Sequence, residues 1–223
     1  MNKRRLLFIL SNIFIATTTV AAVIVVEIYG SRAGRLDNNG FPFWQNIVTF
    51  TVLSNIYLAV VAAIATIYNI FHKSSPLPRW LTTLYLSAVS SALITFFTVI
   101  LYLAPARALS GRNYFDMLLE PMFFLHFFNP MLSAVVFIFF TDGARLTLKS
   151  RFLALLPFVA YAICYVLFVA ILKFWPDFYG LTFNGRYYLT PLVLIGFLAV
   201  DFGLATALSA LKRKYQLRHE KTN

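Results

Sequence analysis

Apolar residues in this chain fall into six long blocks, separated by short polar segments that carry Gly, Pro, Asn or basic residues. The blocks cover residues 6–29, 46–71, 80–103, 121–141, 152–175 and 190–211. Each reaches the roughly 20 residues that a helix needs to cross the hydrocarbon of a bilayer. None alternates strictly with a period of two, and a segment in lipid must satisfy its own backbone hydrogen bonds, which leaves helices. The pattern predicts an all-α polytopic membrane protein, a single domain of six transmembrane helices over residues 1–223. The first block follows Asn2-Lys3-Arg4-Arg5, as a signal peptide would. Its apolar core exceeds the about 7–15 residues of a cleavable signal, so an uncleaved first helix is expected.

The connections are read from turn chemistry. Residues 30–45 contain Asp37-Asn38-Asn39-Gly40, a turn signal, and residues 72–79 contain Ser75-Pro76 and Pro78. Residues 104–120 contain Ser110-Gly111-Arg112-Asn113, and residues 176–189 contain Phe183-Asn184-Gly185-Arg186. The first, third and fifth connections share Gly, Asn and aromatic residues, the composition of an interfacial aromatic belt rather than a repeat.

Composition changes the picture only in its charge. The chain is 60% hydrophobic and 12% charged, about half the usual charged fraction, yet its net charge is +11. Three Lys or Arg precede the first block, two lie in the second connection, three in the fourth and five in the tail from Lys212. The first and third connections carry two each, and Lys173 and Arg186 flank or lie in the fifth. Thirteen against six places both termini in the cytoplasm by the positive-inside rule. No nucleic-acid-binding motif accompanies the charge, so the basicity reads as topology, assisted by anionic lipid. Cys164 is the single cysteine, which excludes an intrachain disulfide and a cysteine-based metal site.

The candidate chemistry is the small set of polar residues inside the blocks. His126 is the only histidine in an apolar block, and an ionisable side chain there normally faces the protein interior or a wet cavity. Asn129 and Pro130 follow at i+3 and i+4, near the same helical face. Pro130 cannot donate its N–H, and its ring clashes with the carbonyl of His126. In the second block Thr51 and Asn55 share a face while Thr49 points nearly opposite. Thr51 and His126 each lie about five residues into helices that run in the same direction, so a hydroxyl and an imidazole stand at matched depth, as a nucleophile–base pair requires. Asp201 near the middle of the sixth block reads as a histidine orienter, a proton relay or a packing acid. Glu27 reads as an orienter or a solvated acid. Ser87, Ser91 and Thr95 form a stripe suited to close helix packing. Structural glue between helices remains open for His126 and Asp201. One membrane histidine cannot supply two haem ligands, Lys173 sits at a boundary where a retinal-type Schiff base is not expected, and no cluster suits a metal. No cofactor is expected.

Phe50-Thr51-Val52-Leu53-Ser54-Asn55, with His126-Phe127-Phe128-Asn129-Pro130 two blocks later, resembles the androgen-induced and androgen-dependent integral membrane proteins, and more closely their bacterial six-span relatives of unassigned role. The resemblance covers most of the chain by architecture and is concentrated in those two motifs. It implies an intramembrane threonine hydrolase of fatty acid esters of hydroxy fatty acids, with Thr51 as nucleophile and His126 as base. It also implies a multi-pass protein of the cell membrane, in a bacterium the inner membrane.

The expectation is therefore acyl transfer from a membrane lipid or fatty acid ester to water by Thr51 and His126. Asn55 or Asn129 would donate to the oxyanion, and Asp201 or Glu27 would orient the base. The rival from another class is a membrane binding or transport protein, or a complex subunit, in which His126 and Asp201 relay protons or hold the structure together.

Overall fold

The computed structural model describes residues 3–33, 46–72, 75–119 and 121–220. The turn expected at Asp37–Gly40 lies outside them. Six helices are long and apolar enough to cross a membrane, and no β-strand occurs among the described residues. They are α1 (Lys3–Ala33), α2 (Phe50–Phe71), α3 (Arg79–Leu109), α4 (Pro121–Phe140), α5 (Leu148–Ile171) and α6 (Thr190–Glu220).

Several of their ends differ from those of the apolar blocks. Residues 46–49 form a turn, so α2 starts four residues late. α3 runs on to Leu109, α5 is shifted back to start at Leu148, and α6 continues through the basic residues to Glu220. Hydropathy reports what lipid tolerates, whereas a helix continues as long as its backbone bonds close. The expected short basic tail is therefore mostly the last turns of α6.

α3 is the axis of the bundle. Its buried face is rich in small residues, Ser87, Ala88, Ser90, Ser91 and Ala92, which let neighbouring backbones approach closely. Polar pairs then fix the register. Ser54 Oγ of α2 lies 3.0 Å from Thr95 Oγ1, Ser87 Oγ donates to the Ala154 carbonyl of α5 (3.0 Å), and Tyr85 OH donates to Asn12 Oδ1 of α1 (2.5 Å). Around them Phe8, Ile15, Leu58, Leu81, Leu86 and Phe137 form the main apolar core.

At one end of the bundle the start of α1 meets the ends of α4 and α6. Arg4 donates to the Thr141 carbonyl (3.3 Å), Lys212 Nζ reaches the same carbonyl, and Arg4 stacks over Tyr215. The connection from α4 to α5 is stitched beneath the start of α3. Leu77 N–H donates to Asp142 O (2.9 Å) and Ala144 N–H to Leu77 O (3.1 Å). A Cβ on Gly143 would stand 2.6 Å from Thr82 Oγ1, so only glycine lets the strand-like contact form.

Two prolines that look like helix breakers are absorbed in the same way. Before Pro130, the Asn129 N–H bonds to Phe124 O five residues back rather than four. In that π register the donor due to Leu125 O is residue 130, a proline with no N–H. Before Pro105, Ala104 N–H likewise bonds to Val99 O, which leaves Ile100 O facing the proline. In both places a side chain supplies the missing donor: Asn55 Nδ2 to Leu125 O (2.9 Å) and Tyr114 OH to Ile100 O (3.0 Å). The carbonyl that Pro130 orphans is thus that of Leu125, not that of His126, and α3 passes Pro105 instead of stopping before it.

Candidate functional site

Thr51 is the second residue of α2. Thr49 occupies the N-cap position without a side-chain capping bond, and its hydroxyl donates to Asn46 O (2.8 Å). Because α2 starts at Phe50, Thr51 lies in the first helical turn, shallower than His126, which is the sixth residue of α4. The matched depth inferred from the apolar blocks is reduced by that late start.

The half-buried Thr51 side chain lines an apolar slot together with Ile94, Thr98, Tyr161, Leu194 and Phe197. The slot has a volume of about 50 Å³. Tyr179 closes it near Thr51. The Phe50 N–H, one of the free donors at the start of α2, donates to Tyr179 OH (2.9 Å). The hydroxyls of Thr51 and Tyr161 flank the same phenol oxygen without hydrogen-bond geometry.

Asp177 holds the Tyr179 segment in place. Its carboxylate accepts from Tyr165 OH, Leu181 N–H (2.9 Å), Thr182 N–H (2.8 Å) and Thr182 Oγ1 (2.6 Å). Burial pushes this carboxyl up, but the bonds from Thr182, Tyr165 and Leu181 outweigh it and hold the group below its ordinary range.

His126 is buried on α4, inside the π-helical turn. Its Nδ1 lies 2.6 Å from the Met117 carbonyl. A carbonyl can only accept, so Nδ1 carries the proton and Nε2 is left as the basic nitrogen. Arg107, on the last turn of α3, is within electrostatic reach.

Asn55 ties the two helices together. Its amide donates both to Thr51 O (2.8 Å) and to Leu125 O, next to His126. The structure therefore brings the backbones at Thr51 and His126 together, and Asn55 is the clamp. Among the described residues no hydrogen bond joins the Thr51 hydroxyl to the His126 ring. With its amide donors committed to those two carbonyls, Asn55 is not placed to serve an oxyanion.

The remaining expected residues lie elsewhere. Asn129 is fully buried and turned towards α1, accepting from Thr18 Oγ1 (2.9 Å) and donating to Thr19 Oγ1 (3.0 Å). Asp201 is buried on α6 beside Ser90 of α3, with neither carboxylate oxygen in a hydrogen bond. Glu27 is buried near the end of α1, faces Asn46, and also closes no hydrogen bond among the described residues. Neither acid holds the histidine; the Met117 carbonyl does. Of the stripe, Ser87 and Thr95 make interhelical hydrogen-bond contacts, Thr95 also lines the slot, and Ser91 is buried with no hydrogen-bond partner among the described residues.

Tyr179, Asp177 and the Met117 carbonyl were missed in the sequence. The two side chains sit in a connection whose aromatic content reads as an interfacial belt, and a backbone carbonyl has no letter of its own. No protein family, curated protein or solved structure matches the chain.

Proposed function

We propose that the chain is a six-span protein of the cell membrane with both termini in the cytoplasm, and that it hydrolyses fatty acid esters through Thr51 and His126. The observation that carries the reading is the Asn55 clamp, which binds the backbone of Thr51 and that of the residue before His126 while the Thr51 side chain lines an apolar slot. The resemblance of the two motifs to the androgen-induced membrane proteins and their bacterial relatives points to the same pair.

An acyl chain enters the slot from the lipid side with its ester carbonyl at Thr51. The Thr51 hydroxyl oxygen attacks the carbonyl carbon, and its proton passes to His126 Nε2, directly on closure or through one water. The ester C–O bond breaks and the alcohol leaves with that proton. A water then attacks the acyl-threonine and gives its proton to Nε2; the acyl C–O bond to Thr51 breaks, the threonine oxygen takes that proton back, and the fatty acid is released. Tyr179 takes the oxyanion role first assigned to the two asparagines. Its oxygen already accepts from Phe50 N–H, and its own O–H proton is free to donate. Such a donor typically contributes about 3–4 kcal/mol to the barrier.

The test uses purified protein in neutral detergent with p-nitrophenyl esters of increasing chain length and a fluorophosphonate probe. Thr51→Ala should abolish turnover and labelling. His126→Ala should lower kcat about 100- to 10,000-fold, and Tyr179→Phe about 100-fold. Thr49→Ala should stay within about twofold, since its hydroxyl serves the Asn46 turn. Folded wild-type protein with no turnover or labelling, or turnover that survives Thr51→Ala, would overturn the reading. The transport alternative would then rest on Asp201, whose buried carboxylate carries no hydrogen bond.

A further inference from the structure

At the end of the bundle opposite Tyr179, three separated stretches of chain enclose a second cavity of about 690 Å³. Arg79 comes from the start of α3, Arg145 and Arg151 from the fourth connection and the start of α5, and Lys212, Arg213 and Lys214 from the far end of α6. Among the described residues no carboxylate lines it. Asp142 acts on Lys212 from outside the lining. Among the described residues none of these six cations is paired with an acid.

Topology alone does not require this arrangement. The positive-inside rule asks for basic residues near the ends of spans, and it is satisfied by side chains spread over a solvated surface. Here six cations line one concavity, four of them exposed and two more withdrawn from water, and their mutual repulsion is a cost that an anion removes. One of them is desolvated and a second is half-buried. Lys212 is 2% exposed, with its ammonium held by the Thr141 carbonyl and, at 3.5 Å, the Phe137 carbonyl. The Nε–H of Arg151 is buried without a hydrogen-bond partner. The wall is amphiphilic as well, because Leu146, Leu148 and Leu217 line the same space. The stitch between Leu77 and residues 142–144, which Gly143 permits, holds Arg145 at the rim.

We propose that this cavity is a binding site for a phosphate group, carried by the headgroup of an anionic glycerophospholipid or by a free phosphorylated molecule. Arg145 and Arg151 provide the planar donors that match phosphate oxygens, and Lys212, Arg213 and Lys214 supply the surrounding positive field. The leucines favour the lipid source, with its acyl chains against the wall and its phosphate among the arginines. The site is independent of the ester chemistry at Thr51.

Full-length protein in neutral detergent is titrated at constant ionic strength with short-chain phosphatidylglycerol, short-chain phosphatidylcholine and inorganic phosphate, and the unfolding midpoint is read. Phosphatidylglycerol should raise the midpoint saturably, and phosphatidylcholine should not. Arg145→Gln should weaken the apparent affinity about tenfold, and Arg145→Gln with Arg151→Gln about 100-fold. Arg186→Gln, at the other end, should leave it unchanged. If the double variant is poorly folded without ligand, Arg145→Gln with Lys214→Gln, both at exposed positions, decides instead. Saturable protection by inorganic phosphate that is lost in the same variants would keep the site and assign it to a soluble ligand. Equal affinity in wild type, Arg145→Gln and Arg186→Gln, or equal binding of phosphatidylcholine, would overturn the proposal.

Discussion

Replacing Asn55 with Ala removes the side-chain donor that the Leu125 carbonyl has among the described residues. The Thr51 carbonyl loses less, because Ser54 Oγ also donates to it (3.2 Å). A buried carbonyl left without a donor costs about 1–3 kcal/mol. The missing amide volume adds about 1 kcal/mol. Two terms work the other way. The Asn55 Oδ1 is itself buried without a partner, so its removal returns about 1 kcal/mol. Chains unfolded within a bilayer or micelle also find substitute partners, which lowers the value of interhelical bonds towards about 0.6 kcal/mol. The expected net cost is about 2 kcal/mol. A second substitution isolates its cause. Pro130→Ala restores an N–H at the position due to Leu125 O, so Asn55→Ala in that background should cost about 1 kcal/mol less than in wild type. Unfolding in mixed micelles, followed by far-ultraviolet circular dichroism over a denaturant series, supplies the four free energies. Equal costs in the two backgrounds would refute the idea that Asn55 serves the carbonyl orphaned by Pro130. The same cycle with Tyr114→Phe and Pro105→Ala tests the matching arrangement in α3.

Two further outcomes follow from the basic end and the capped connection. Alkaline phosphatase fused after Asn184 should be active and fusions after Ser75 and Lys149 inactive; the reverse pattern would invert the orientation proposed from the charge bias. Asp177 has its folded-state carboxyl below the ordinary value, so the stability it contributes is present above the unfolded pKa of about 3.9 and is lost as pH falls towards the depressed folded value. Thermal unfolding at pH 7, 5 and 3.5 should therefore steepen at the acid end in wild type. Asp177→Asn should cost about 1 kcal/mol at pH 7, discounted for partial exposure, and should flatten that acid loss; an identical acid slope in both proteins would contradict the role given to the cap.

The number of long apolar helices and their approximate centres were legible in the sequence. They follow from transfer free energy, which depends on each residue's own chemistry and needs no partner. The same one-residue logic singled out His126, because an imidazole in an apolar block is costly wherever it points. Its holder was not legible: Asp201 and Glu27 are the acids in the apolar blocks, yet the ring is held by the carbonyl of Met117. Helix ends were misplaced where amphiphilic residues continue a helix beyond the lipid-compatible stretch, as in α6. Pro105 and Pro130 show the limit most clearly. Each removes a donor, a fact visible in the sequence, but whether the helix breaks or changes register depends on a side chain brought to the orphaned carbonyl by another part of the chain. Asn55 and Asn129 are the same residue type in adjacent motifs, and only packing decided that one clamps α2 to α4 while the other turns to Thr18 and Thr19 of α1. Hydrogen-bond partnership is a property of pairs at distances of about 3 Å, and the tertiary structure alone sets those distances.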